Sequence, residues 1–92
     1  MKRVHITVYG KVQGVSFRYY SKQKALELGV KGWVMNLRNP NIVELVIEGK
    51  DEKVDKMIEW CSHGPQNAII EKIDVTEEEY KGEFNSFEVR YW

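Results

Sequence analysis

The chain has 92 residues, 42% apolar and 30% charged, the balance of an ordinary globular protein. Fourteen Lys and Arg offset fourteen Asp and Glu, and the isoelectric point near 6.7 argues against a protein built to coat nucleic acid or an acidic membrane. No apolar run approaches the ~20 residues of a membrane span, MKRVHITVYG lacks the unbroken apolar stretch of a signal peptide, and the lone Cys61 has no internal disulfide partner, so one cytoplasmic domain over residues 1–92 is expected.

RVHITVY alternates, with Val4, Ile6 and Val8 on one face and Arg3, His5, Thr7 and Tyr9 on the other, the pattern of a half-buried strand. The turn GKVQG follows. Phe17, Ser21, Ala25 and Leu28 then repeat at helical spacing up to Gly29, a natural left-handed cap. Two strands are expected next, Val30–Asn36 and Ile42–Gly49, joined by turn residues as a hairpin. Asp51 is the expected N-cap of a second helix, whose stripe runs Val54, Met57, Ile58, Cys61 and stops at Gly64 and Pro65. AIIEKIDVTEE reads as a strand whose apolar phase slips between Ile70 and Ile73, the mark of a bulge. After the turn YKGEFN, SFEVRYW alternates again, with Phe87, Val89 and Tyr91 on one face.

The order is strand, helix, strand, strand, helix, strand and a short extra C-terminal strand. One-sided helices and strands imply an α+β sandwich, an antiparallel sheet with both helices on one face. Right-handed crossovers place the first and third strands side by side in the middle.

Gly10 and Gly14 bracket the turn before the first helix. Glycine permits positive φ and close approach of a ligand, and the N–H groups from Gly14 to Arg18 enter a helix N-terminus without intrahelical partners. Such a turn with one guanidinium suits a tetrahedral oxyanion, most simply a phosphate. Gly-containing strand-to-helix turns are common, however, and an arginine in a first helical turn is often only solvated. Spacing leaves both readings open. The turn is neither a Walker loop, since the GK[ST] ending is missing, nor a dinucleotide GxGxxG.

YGKVQGVSFRYYSKQKALELGVKGWVMN resembles, almost end to end, the acylphosphatase signature G-x-V-Q-G-V-x-F-R followed by G-W-V-x-N. GPQNAIIEKIDV is similar to the later G-P-x-x-A-x-V segment, and FEVRY to the family's usual close. The resemblance implies the ferredoxin-like βαββαβ sandwich and hydrolysis of acyl phosphates to carboxylate and phosphate, with no metal or other cofactor. By motif position Arg18 becomes the phosphate-binding arginine and Asn36 the residue that holds the attacking water. The stretch from Val12 or Gln13 through Gly14, Val15 and Ser16 to Phe17 becomes the backbone cradle. One departure is visible: NLRNPNIVE stands where the family turns its hairpin with Asp-Gly, which alters the turn chemistry but leaves Arg18 and Asn36 in place.

The absence of an obvious acid in the turn fits that chemistry. A carboxylate leaving group, whose conjugate acid has a pKa of about 4, departs without protonation, whereas an alkoxide would call for a general acid or metals. The implied partners are a small-molecule acyl phosphate and inorganic phosphate, as product and competitive inhibitor. A monomer is expected, with no nucleic acid and no membrane.

Other residues read as structural. His5 belongs on the open face of the sheet and His63 at a helix C-terminus. Cys61 and His63 lack the further ligands of a zinc site. Trp33, Trp60 and Trp92 read as packing residues, Lys24 and Gln23 as a solvated helix face, and DVTEEEYKGE as a solvated strand end and turn. The competing class is an RNA-binding module of similar fold, which GVSFRYY echoes. That string lies at a strand-to-helix junction rather than on central strands, and the neutral charge counts against it. A small-anion sensor or a carbamoyl-phosphate-handling domain is a further alternative.

Overall fold

In a computed structural model, which describes residues 1–91, the elements follow the expected order: β1 (Lys2–Lys11), α1 (Phe17–Leu28), β2 (Lys31–Asn36), β3 (Ile42–Gly49), α2 (Asp51–His63), β4 (Ile69–Glu78) and β5 (Phe87–Arg90). Trp92, expected to end the last strand and to pack, lies outside the described residues.

The sheet order is β4-β1-β3-β2-β5, so β1 and β3 are central as the crossover argument requires. β1 pairs antiparallel with β3 and β4, and β2 antiparallel with β3. The short β5 joins β2 in parallel, making the sheet mixed at that edge. β1 and β4 fall out of register between Tyr9 and Gly10, where Glu71 is the extra residue between Ile70 and Lys72. This is the bulge expected between Ile70 and Ile73. Gly10 is required opposite it, because a Cβ there would lie 2.0 Å from the Ile69 carbonyl oxygen.

Alternation sorts the side chains as the sequence implies. Val4, Ile6 and Val8 of β1, Val43, Leu45 and Ile47 of β3, Val34 of β2 and Phe87 of β5 are buried, and with them Phe17 and Ala25 of α1 and Val54, Met57 and Cys61 of α2. α1 lies over β2 and β5, and α2 over β1 and β4. Burial pushes the Cys61 thiol far up from its ordinary value, so it stays protonated.

The caps add detail. Gly29 closes α1 in the left-handed region (φ 74°), with the Val30 N–H on Ala25 O at 3.0 Å. Val30 is thereby drawn into the cap, and β2 begins one residue later than expected. Asp51 is not the N-cap of α2. Lys50, in extended conformation, holds that position without a side-chain bond, and Asp51 is the first helical residue, its carboxylate 3.2 Å from the N-terminal ammonium. That electrostatic partner and the helix dipole hold the carboxylate where a capping bond would otherwise have done so.

Candidate active site

The turn after β1 is held by two apolar pegs. Val12 and Phe17 are buried, while Gly14 and Ser16 between them are exposed. Phe17 packs against Trp60 of α2 with ring centroids 5.4 Å apart, which fixes the start of α1 against the second helix. Gly14 has φ 77° and Ser16 has φ 60°, whereas Val15 and Phe17 lie on the negative side. This alternation of sign turns successive N–H groups towards one side, the backbone geometry of an anion nest. Ser16 is the only non-glycine residue with positive φ among the described residues. Holding it there costs ~1–2 kcal/mol. The first helical N–H to find a backbone carbonyl is that of Tyr20, on Ser16 O at 3.0 Å. Those of Phe17, Arg18 and Tyr19 therefore remain open at the positive end of the helix dipole.

Beside the turn is a cleft of about 670 Å³ lined by Gln13, Gly14, Ser16, Phe17, Arg18, Tyr19, Lys22, Gln23, Asn36, Val89 and Tyr91, together with Val12. Two cations and no carboxylate face it among the described residues. Arg18 is half-buried, makes no salt bridge among the described residues, and stacks its guanidinium 4.9 Å from the ring centre of Tyr91. Asn36, the last residue of β2, shares the helix-facing side of the sheet with Val34 and so looks into the same cleft. Its Oδ1 is the one buried side-chain oxygen or nitrogen among the described residues that has no hydrogen-bond partner. An orphaned buried acceptor calls for a water or a ligand.

Most of the residues expected at the site come together here, with two differences. Gln13 contributes backbone to the turn, but its side chain turns away. Its Nε2 donates to the carbonyls of Leu37 (2.9 Å), Ile42 (3.0 Å) and Asn39 (3.1 Å) in the loop between β2 and β3. Val15 also faces away, lining a second groove beside Trp60 and Pro65. The unusual hairpin loop closes on itself: the Asn41 N–H donates to Asn39 Oδ1 at 2.9 Å across Pro40, and the Leu37 N–H donates to Ile42 O at 3.1 Å. β2 thus keeps its register up to Asn36 without an Asp-Gly turn.

Sequence reasoning missed Lys22, one helical turn beyond Arg18 and on the same cleft; its i, i+4 spacing was the available signal. Lys24 instead pairs with Glu27 at 3.5 Å. His5 is on the open face, with Nε2 3.1 Å from Glu44. Trp33 also lies on the open face, under the Arg90 guanidinium at 5.1 Å. Tyr19 and Tyr20 are exposed on α1 and stack edge to face with each other, off the central strands where an RNA-stacking platform would need them. No three His, Cys, Asp or Glu side chains cluster at metal-binding distance among the described residues.

A second charged constellation occupies the opposite end of β1, on the open face. Arg3 is 8% exposed and Glu48 3%. The Arg3 guanidinium meets Glu48 at 3.2 Å, Glu78 at 2.9 Å and also Glu83, and stacks over Phe84. Glu48 accepts in addition from the N–H groups of Lys81 (3.0 Å), Gly82 (3.1 Å) and Glu83 (3.2 Å). The acidic run expected to be solvated is therefore partly engaged: Glu78 and Glu83 clamp a buried cation and tie residues 81–83 to the sheet. Burial alone would push the Glu48 carboxyl up, but these N–H donors and Arg3 outweigh it and hold it below the ordinary 4.5. Burial would likewise lower Arg3, and its carboxylate partners raise it instead.

The fold is a ferredoxin-like α+β sandwich, and its cleft sets open helix-terminal N–H groups beside Arg18, which makes no salt bridge among the described residues. A family model described as acylphosphatase matches residues 4–89. The acylphosphatase of Syntrophus aciditrophicus is 52% identical over 91 residues, covering 99% of this chain and 94% of the relative. The crystal structure of the acylphosphatase from Bacillus subtilis superposes with a TM-score of 0.92 at 32% identity, covering 99% of this chain and all of that one. A full-length HypF structure in phosphate- and nucleotide-bound form contains the same fold, with a TM-score of 0.86 at 28% identity over 97% of this chain but 12% of its own. The chain belongs to the acylphosphatase family. It is an enzyme that hydrolyses acyl phosphates.

Proposed function

We propose that the phosphoryl group of the acyl phosphate sits in the turn from Gly14 to Arg18, with Arg18 and the open N–H groups on its non-bridging oxygens. Asn36 orients a water on the far side of phosphorus from the acyl oxygen. The P–O bond to the acyl group breaks as the water oxygen bonds to phosphorus, and the carboxylate leaves unprotonated. The water's proton passes to a phosphoryl oxygen, since neither a carboxylate nor a histidine lines the cleft among the described residues. Charge redistributes over the phosphoryl oxygens as the bond loosens, so fixed donors around them act by positioning and electrostatics. The observation that carries this reading is the pairing of a sign-alternating turn with a half-buried arginine that no carboxylate among the described residues neutralises. The orphaned Oδ1 of Asn36 supports the water-holding role.

The enzyme works as a monomer in the cytoplasm, without a metal, and inorganic phosphate competes with substrate. The test is phosphate release from benzoyl phosphate. Turnover is expected to withstand chelator, to be inhibited competitively by phosphate, and to fall in Arg18→Ala and Asn36→Ala. Metal dependence, or full activity in Arg18→Ala, would overturn the proposal.

A further inference from the structure

We infer that Gln13 is a positioning residue that sets the distance between the phosphate cradle and the water-holding asparagine. The inference rests on the mechanism proposed above. Gln13 enters the cradle through its backbone, immediately before Gly14, and its side-chain amide donates to the carbonyl of Leu37, the residue after Asn36, at 2.9 Å. The same nitrogen also meets the carbonyls of Asn39 and Ile42 at 3.1 and 3.0 Å. A primary amide nitrogen has two protons. Three carbonyls share them, so none is left for a bound anion, and a role as phosphate ligand through this group is excluded.

The contact spans 24 residues of sequence and joins the two halves of the reacting assembly. The cradle rides on the end of β1 and the start of α1, whereas Asn36 rides on the end of β2. The Asn36 Oδ1 makes no bond of its own, so the backbone on either side of it decides where that amide points. The Gly10 N–H on Asn41 O at 2.9 Å fastens the same loop from the β1 side. A loosened clasp lets Asn36 drift relative to the phosphorus while the cradle itself stays intact. A misplacement of ~1 Å between reacting groups lowers a rate by as much as about 10²-fold.

Gln13→Met keeps the length and removes the donors. It is expected to lower kcat on benzoyl phosphate by about 10–10²-fold and to leave the inhibition constant of inorganic phosphate within about threefold, because the donors to phosphate are untouched. Gln13→Glu places a carboxylate against three carbonyls, which raises its pKa. Its rate relative to wild type is expected to recover as pH falls towards about 5 and the protonated carboxyl regains a donor, while Gln13→Met shows no such recovery. A rise in the phosphate inhibition constant that matches the loss of rate would make Gln13 an anion ligand and overturn the inference. So would an unchanged kcat, or a Gln13→Glu profile parallel to wild type. If the variants do not fold, the wild type decides: on titration with phosphate the backbone amide resonances of residues 14–18 are expected to shift while the Gln13 side-chain amide stays put, and an equal shift of that amide refutes the role. Wild-type protein that fails to turn over benzoyl phosphate would sink the mechanism above rather than this assignment.

Discussion

Two arginines stand beyond opposite ends of one strand's core: Arg3 near the start of β1, and Arg18 in the first turn of α1, after its end. Arg3 is surrounded by three carboxylates and capped by an aromatic ring. Arg18, also withdrawn from full solvent, has a ring beside it and no carboxylate among the described residues. A buried ion that is fully paired contributes to the fold and has nothing left to offer a ligand. A cation left unpaired beside open N–H groups is available to an anion from outside. The contrast predicts that the same residue type, truncated at either end, will fail in different assays.

The largest effect is expected at the unpaired end. Arg18→Ala should lower kcat/KM on benzoyl phosphate by at least about 10²–10³, the cost of one preorganised donor, while urea unfolding shifts by no more than about 0.5 kcal/mol. A variant that loses stability in step with activity would break the comparison. At the other end, Arg3→Met should cost about 3–5 kcal/mol of stability by leaving buried Glu48 without its counter-charge. The folded fraction should keep kcat within about twofold, because distant sites with no shared partner act independently.

The pH dependence sharpens the same contrast. The Glu48 carboxyl is held below its ordinary 4.5 in the folded protein, so the unfolded chain takes up its proton first as pH falls. Its contribution is complete above about 4.5 and is lost as pH drops through the lower folded value. Urea unfolding at stepped pH should show stability declining over that acid range, and Glu48→Gln should flatten the decline. The smallest effect concerns backbone strain. Ser16→Gly relieves the left-handed conformation at φ 60° but adds freedom to the unfolded chain. The net is a gain of ~0.5 kcal/mol, measurable by the same unfolding, whereas Ser16→Ala leaves the strain in place and shows no gain.

Much of this was legible from local pattern. Alternation in β1 and the stripe of α2 fixed which faces are buried, and the glycines and Arg18 marked the turn that borders the cleft. What escaped depends on where a side chain goes after the fold brings distant segments together. Arg3 and Glu83 are eighty residues apart, and nothing in an acidic run signals that two of its members will close on a buried guanidinium. The direction of the Gln13 amide is set by a loop that β2–β3 pairing builds, so Gln13 reads in sequence as part of the cradle although its side chain serves the hairpin. Asp51 looked like a cap because capping residues and first-turn acids share a composition; the conformation of Lys50 separates them.

The single thiol offers a view of the whole molecule. Cys61 is sealed beneath α2 with no exposed surface, so a sulfhydryl reagent in the medium meets it only during moments when the hydrophobic interior opens. The pace of its modification at neutral pH is thus a clock for spontaneous opening, one that can be read on the unaltered enzyme at work and set against the turnover of substrate.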